Sequence, residues 1–294
     1  IPVLKRGLGI FFSALKVKKL AEDCDLIHAL DAYPYGITAA IANKFLGKKF
    51  IITAQGTYSV APLYKRNVAL LTKWAYRQAD KIIAISSYTR EEILKKIKLD
   101  NIEIINHGID LKKFYQKHGV SEEKFILSVG GAKKRKGYHI SIPAFAKISK
   151  NFPSLKYYIV ANNGRKYLTK VAKQEGVGDK IIFFEKTTDK NLLGMYRKAK
   201  LFMLTPVSTS DHHIEGFGLV YLEAAAAGTP VIGSLASGAL DAVKNGENGF
   251  LVPQSDIQKT ADAVEKVLND YNLWQKMSKA SYTWANEHDL NKVI

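Results

Sequence analysis

The sequence predicts an α/β protein built from two parallel-sheet domains, and three observations carry that reading. Ten short runs rich in Ile, Val and Phe alternate with helical segments along the chain. The runs are continuously apolar rather than alternating, as strands covered on both faces are. The length of 294 residues also exceeds what a single core usually organises.

The first series of strands reads LIHAL (26–30), KFIITA (49–54), KIIAIS (81–86) and IEIINH (102–107). The second reads FILSVG (125–130), KYYIVAN (156–162), KIIFFE (180–185), LFMLT (201–205), PVIGS (230–234) and GFLVP (249–253). Between them the polar segment LKKFYQKHGVSEE (111–123) lacks a strand, which predicts a boundary between domains at 1–118 and 119–294. Six strands suffice for a complete doubly wound domain in the second half, whose last helix is expected to return toward the first domain. The first half has four and opens with a helix, so an opening strand-loop-helix is expected to be missing from it. The stretch IPVLKRGLGIFFSALKVKKL is read as an amphipathic helix leading into Leu26 rather than a signal peptide, because no small-residue cleavage site follows its apolar run. The alanines at 224–227 are expected to let their helix approach a sheet closely.

Composition narrows the function classes. No apolar run reaches the roughly 18 residues of a membrane span. The single cysteine, Cys24, excludes an internal disulfide framework and makes a reducing cytoplasm the default expectation. A formal net charge of +17 implies attraction to an anion at long range, whether phosphate, nucleic acid or acidic lipid. No nucleic-acid-binding motif accompanies the charge, so nucleic acid is not expected as a partner. Lys5, Arg6, Lys16, Lys18 and Lys19 near the first helix suit peripheral contact with an anionic membrane surface on its inner face.

The richest segment is EGFGLVYLEAAAAGTP (215–230), which follows a strand and a polar loop and opens a helix near Gly218. Gly216 and Gly218 let backbone N–H groups approach an anion, and a helix N-terminus adds unpaired donors and about half a positive charge. Carboxylates beside such a site repel phosphate and bind hydroxyls instead. Glu215 and Glu223 therefore suggest a nucleotide sugar, with phosphate on the helix end. The competing reading is a glutamate that merely favours the N-terminus of its own helix.

From FILSVG to about residue 285 the chain resembles the family 4 retaining glycosyltransferases of the GT-B fold, the glycosyltransferase group 1 enzymes. The pieces that match are SVGGAKKRKG, KIIFFEKTTDKNLLGMYRKAKLFMLTP, DHHIEGFGLVYLEAAAAGTPVIGS and SGALDAVKNGENGFLVPQSD. DLIHAL, FIITAQGT, ADKIIAISSYTREEI and INHGIDLKKF resemble the first domain of the family more weakly. The resemblance implies two doubly wound Rossmann-like domains facing a cleft. It also implies a metal-independent, configuration-retaining transfer from a UDP- or GDP-linked sugar to a glycan or lipid-linked acceptor, with no cofactor. The pathway it points to is polysaccharide, lipopolysaccharide or glycolipid synthesis.

By that resemblance Glu215 contacts the donor sugar, Glu223 the ribose, and the backbone of Gly216, Phe217, Gly218 and Leu219 the phosphates, with Gly130 in the loop after the first strand of the second domain. Lys136 matches the cation that neutralises the leaving diphosphate. The family's arginine position holds Gly131, and Arg135 within KKRK is the nearest substitute. Gln55 stands where some members have histidine, and an amide cannot act as a charged acid. His28 in LIHAL matches a position expected at the strand end facing the cleft. Ser237, Gly238 and Asp241 occupy a turn that the family fills with two glycines, a proline and a glutamate. Asp23-Cys24-Asp25 imitates a metal motif in the wrong place, and His212 and His213 are expected to flank the donor pocket rather than bind a metal. Gly131, Gln55 and the missing opening unit leave a non-catalytic or fragmentary nucleotide-sugar-binding relative as the alternative.

Overall fold

The computed structural model describes residues 8–114, 123–235 and 237–293. All ten expected strands form, each ending at or within the run that announced it. β1 (Leu26–Leu30), β2 (Lys49–Ala54), β3 (Lys81–Ala84) and β4 (Ile102–Ile104) make one parallel sheet in chain order. β5 (Phe125–Val129), β6 (Lys156–Val160), β7 (Ile181–Phe184), β8 (Leu201–Met203), β9 (Val231–Ser234) and β10 (Gly249–Val252) make a second parallel sheet. Its order is β10-β9-β8-β5-β6-β7. The direction of winding reverses between β5 and β8, and the crevice outside such a reversal is where doubly wound sheets bind ligands.

The chain divides into two compact units. One contains the chain up to Asn106 together with Thr209–Phe217, and the other contains His107–Ser208 and Gly218–Ile294. The division differs from the expected boundary at residue 118 in two respects. His107–Phe114 joins the second unit, where Ile109 N–H donates to His288 O at 2.8 Å and Leu290 N–H donates back to Ile109 O at 3.1 Å. The chain's last helices thus meet the linker within that same unit. The loop Thr209–Phe217, between two elements of the second unit, joins the first.

The first unit is built around Phe50, Ile52, Ile82 and Tyr76, all fully buried, and Ile214 from the returning loop enters the same core. The strand faces supply this apolar surface, and its burial is the main favourable term in folding. Ser86 begins the helix Ser87–Leu94, its Oγ accepting the Thr89 N–H at 3.0 Å. In the second unit Thr188, Asp256 and Asp270 cap the helices Asp189–Lys198, Ile257–Asn269 and Tyr271–Glu287 in the same manner. Each such cap satisfies one of the amide donors a helix start leaves open.

Two local expectations change. The first helix forms over Leu8–Leu20, but it is not amphipathic in the expected sense: its inward stripe is Ile10, Ser13 and Ala14, whereas Leu8, Phe11, Phe12 and Leu15 are exposed. Small residues on the inner side allow close approach to the helix Ile37–Asn43, and the large ones are left outside. The alanine-rich helix, Leu219–Ala226, packs chiefly against the helix Tyr271–Glu287 and less against β9. No helix among the described residues is long and apolar enough to cross a membrane.

Candidate active site

The expected site residues fall into two groups. His28, Gln55, Glu215, Gly216 and Phe217 belong to the first unit; Gly130, Arg135, Lys136, Gly218, Leu219 and Glu223 belong to the second. The division runs through the peptide bond between Phe217 and Gly218.

In the first unit, the carboxyl ends of β2 and β3 hold the segment Ile214–Gly216. Thr57 Oγ1 donates to Ile214 O at 2.8 Å and accepts from Ile214 N–H at 3.1 Å. Gly216 O accepts from Ser86 Oγ at 2.6 Å and from Thr89 Oγ1 at 3.2 Å. A Cβ at Gly216 would lie 2.1 Å from Gln55 O, so only glycine fits there. The glycine serves a backbone-to-backbone approach against Gln55, a packing reason that anion binding alone did not suggest. Glu215 and Phe217 on either side are both buried. Further back in the loop, His212 stacks on Tyr64 with ring centroids 3.5 Å apart, and His213 Nε2 lies 3.4 Å from Asp211 Oδ2.

His28 lies at the middle of β1 rather than at its end, with Nε2 at 2.7 Å from Thr53 Oγ1 on β2. The residue that follows the strand is Asp31, which accepts the backbone N–H of Gln55. The predicted run 26–30 coincides with β1 and already puts His28 at its middle; the strand-end placement came from the resemblance alone.

In the second unit, the loop from Gly130 to Gly137 follows β5. Lys136 is buried and lies along Gly130, where an added Cβ would come 3.2 Å from its Cε and 3.4 Å from its Nζ. Gly137 has φ 73°, and a Cβ there would be 1.7 Å from Thr205 O. Val207 N–H also donates to Arg135 O at 2.8 Å, so the cationic loop is fastened to the chain leaving β8. Around Gly131, which the resemblance sets at the family's arginine position, stand Asn162 and Asn163; the Asn163 Oδ1 accepts the Ala132 N–H at 3.0 Å.

The helix Leu219–Ala226 starts from Gly218, whose φ is 90°. Gly218 has no side chain to cap it, and the Tyr221 N–H donates to Gly218 O at 2.9 Å; a helix start leaves its other first amides as open donors. One turn in, the Glu223 carboxylate accepts from Tyr196 Oη at 2.6 Å. Burial pushes its pKa above the usual carboxylate range; the Tyr196 hydrogen bond and the Lys136 charge oppose the rise, and Asp189 adds to it. Burial, with the Glu223 charge and hydrogen bond, in turn raises the Tyr196 hydroxyl well above its ordinary value. Tyr196, on the helix Asp189–Lys198, was not legible as a site residue: 27 positions separate it from its partner, and no periodicity links them. The arrangement offers a buried cation, an uncapped helix start and an oriented carboxylate, a set suited to an anion carrying hydroxyl groups.

Comparisons with known proteins identify the family. The family model described as glycosyl transferases group 1 matches residues 110–284, and that described as glycosyltransferase family 4 matches residues 1–113. Glycogen synthase of Mycobacterium tuberculosis is 28% identical over 292 residues, covering 95% of this chain and 69% of that protein. N-acetyl-alpha-D-glucosaminyl L-malate synthase of Bacillus anthracis is 25% identical over 272 residues, covering 88% of this chain and 69% of that protein. Among solved structures, Anabaena HepE in complex with UDP and glucose superposes with a TM-score of 0.81 at 20% identity, covering 95% of this chain and 78% of that one. Sucrose-phosphate synthase from Thermosynechococcus elongatus superposes with a TM-score of 0.79 at 22% identity, covering 96% and 74%. With one family model spanning more than half of its length, the chain belongs to the glycosyl transferases group 1 family.

Proposed function

We propose that the protein transfers a sugar from a nucleoside diphosphate sugar to a hydroxyl acceptor with retention of configuration and without a metal ion. The observation that carries this reading is the pairing of buried Lys136 with a Glu223 carboxylate held by Tyr196, beside the open start of the helix Leu219–Ala226. The donor is UDP- or GDP-linked, and HepE, crystallised with UDP and glucose, supports a uridine nucleotide as the first to test.

Each residue then has a task. The backbone from Gly216 to Leu219 holds the phosphates, Glu223 takes the ribose hydroxyls, and Glu215 takes a hydroxyl of the donor sugar. Gly130 leaves space along which Lys136 lies. As the bond between the anomeric carbon and the diphosphate oxygen breaks, negative charge builds on that oxygen. Lys136, Arg135 and the helix amides stabilise it, and such fixed charges act most strongly where water is excluded. The acceptor oxygen bonds to the anomeric carbon on the face the diphosphate leaves, and its proton passes to the departing phosphate. Configuration is thereby kept. Gln55 donates a hydrogen bond and carries no charge.

The test is donor hydrolysis and transfer in Glu215→Ala. Loss of a charged hydrogen bond, worth roughly 1.5 to 3 kcal/mol, lowers turnover about ten- to a hundred-and-fifty-fold. Unchanged turnover removes Glu215 from the reaction. A non-catalytic relative is the second reading, favoured by Gly131 between Asn162 and Asn163 where a cation is expected. Calorimetric binding of UDP or GDP without turnover of any nucleotide sugar would select it.

Contact with an anionic membrane surface is a further part of the proposal. It rests on the helix Leu8–Leu20, which exposes Leu8 at 77% and Phe12 at 61% alongside exposed Lys16 and Lys19. Lys5 and Arg6, which enter the same expectation, lie outside the described residues. Pelleting with phosphatidylserine vesicles at low salt, lost in Phe11→Ser/Phe12→Ser, is the expected result; no pelleting in the parent protein overturns it.

A further inference from the structure

Asp31 is the first residue after β1, and its backbone has φ 86° and ψ 150°, a region that residues with a Cβ rarely enter. Such conformations persist only where the surroundings over-determine them, and here they do. Asp31 N–H donates to Thr53 O at 2.8 Å, and its carbonyl accepts from Gly36 N–H at 3.0 Å. Its Oδ1 accepts from Ser59 Oγ at 2.7 Å and from Gln55 N–H at 3.1 Å. Ser59 is fully buried; its Oγ accepts the Ala32 N–H at 3.1 Å, and its carbonyl accepts from the buried Tyr76 hydroxyl at 3.0 Å. One carboxylate oxygen is therefore fixed by donors that are themselves fixed.

The other oxygen, Oδ2, has no hydrogen-bond partner among the described residues, and the side chain is half-buried rather than enclosed. A clasp between the ends of β1 and β2 needs one acceptor oxygen, which an amide or a hydroxyl would supply without charge. Burial raises the Asp31 carboxyl, the Ser59 and Gln55 hydrogen bonds lower it, and no cation contributes. A charged group kept at that cost, with one oxygen left over, is explained by what the oxygen meets.

Its placement says what that is. Gln55, the residue after β2, has its N–H on Asp31 and its carbonyl against Gly216, so Asp31 and the segment carrying Glu215 flank a single residue of the first unit. We propose that Asp31 binds substrate, its Oδ2 accepting a hydrogen bond from a hydroxyl of the acceptor. A diphosphate would be repelled there, and a lone carboxylate oxygen is a weak cation ligand, whereas an O–H group is a donor of matching geometry. The inference rests on the glycosyltransferase reading above.

Two measurements test it. In protein labelled with carboxyl-13C aspartate, the Asp31 signal, identified by its absence in Asp31→Asn, shifts saturably on adding glycerol or methyl α-glucoside in excess. With UDP-glucose as donor and glycerol as acceptor, Asp31→Asn lowers the ratio of transfer to hydrolysis about ten- to a hundred-and-fifty-fold. Asparagine keeps Oδ1 and tolerates positive φ better than most residues, so a purely structural role leaves that ratio within about twofold of the parent, and this overturns the proposal. A signal that neither alcohol moves also overturns it. If the parent turns over no UDP-glucose, the reading of that donor fails instead, and the resonance alone decides Asp31.

Discussion

Glu215 and Glu223 are eight residues apart in the sequence, yet they are held in opposite ways. Around Glu215 the backbone is anchored: Thr57 grips Ile214 from both sides, Ser86 and Thr89 hold the Gly216 carbonyl, and Gln55 leaves room for nothing larger than glycine beside it. Around Glu223 it is the side chain that is anchored, by Tyr196, with the Lys136 charge favouring its ionised form. A backbone anchor fixes where a side chain begins and survives changes to the side chain itself. A side-chain anchor fixes where the charge ends and fails when a distant partner is lost. One motif in the sequence thus contains two devices with different vulnerabilities.

The largest expected effects come from removing the space that each device requires. Gly137→Ala places a Cβ 1.7 Å from Thr205 O at φ 73°, and Gly216→Ala places one 2.1 Å from Gln55 O. Each substitution should destabilise by about 3 kcal/mol, the upper range for overpacking, read from urea unfolding. Equal stability of Gly216→Ala and the parent would show that the anchoring of the Glu215 segment is not rigid.

Next comes Glu223→Gln, where stability and binding should move in opposite directions. A carboxyl raised by burial binds its proton more tightly in the folded state than in the unfolded one. Its contribution is complete below the ordinary glutamate range and is lost as pH rises through the raised value. Glutamine does not ionise, so the variant gains stability on the parent across that window while UDP binding weakens. Urea unfolding at acidic and neutral pH, beside calorimetric UDP titration, reads both; a variant that loses stability at neutral pH contradicts the burial argument.

Tyr196→Phe should act less strongly and through pH. Removing a hydrogen bond that lowers the Glu223 pKa lets the carboxyl rise further. The onset of UDP binding on raising pH should move to higher pH, with about 1 to 3 kcal/mol lost where the parent is already ionised. An unmoved onset with weakened binding would mean that Tyr196 only packs. Thr57→Val is the smallest change, about 1 kcal/mol of stability, since one hydroxyl serves both the N–H and the carbonyl of Ile214.

The strands were legible because burial on both faces leaves a continuous apolar run, which no other local structure of that length imitates as well. The start of the helix at Leu219 was legible because the glycines and the helix they open are contiguous in the chain. Tyr196, Asp31 and the grip of Thr57 were not, because each acts on a residue brought near only by folding. The same reason explains the assignment of the loop Thr209–Phe217: its neighbours in sequence belong to the second unit and its neighbours in space to the first. His28 was misplaced by the resemblance, not by the strand bounds, which the sequence run matched. The outward face of Leu8–Leu20 was misjudged because Ser13 and Ala14 pack inward beside Ile10 while the larger Leu8, Phe11, Phe12 and Leu15 stay outside.

The reversal of strand order between β5 and β8 also has an evolutionary consequence. The chain leaving β5 carries the cationic loop, the chain leaving β8 lies beside it, and the two are fastened at Gly137–Thr205 and Arg135–Val207. Further bonds hold the base of the loop, Gly130 N–H donating to Val160 O at 2.9 Å and Tyr138 Oη to Gly130 O at 2.7 Å, so variation there is confined to side chains that take no part in them. Gly131 lies opposite Asn162 and Asn163, with the next N–H held by Asn163, so a side chain placed there changes the charge of the loop without adding a strand contact.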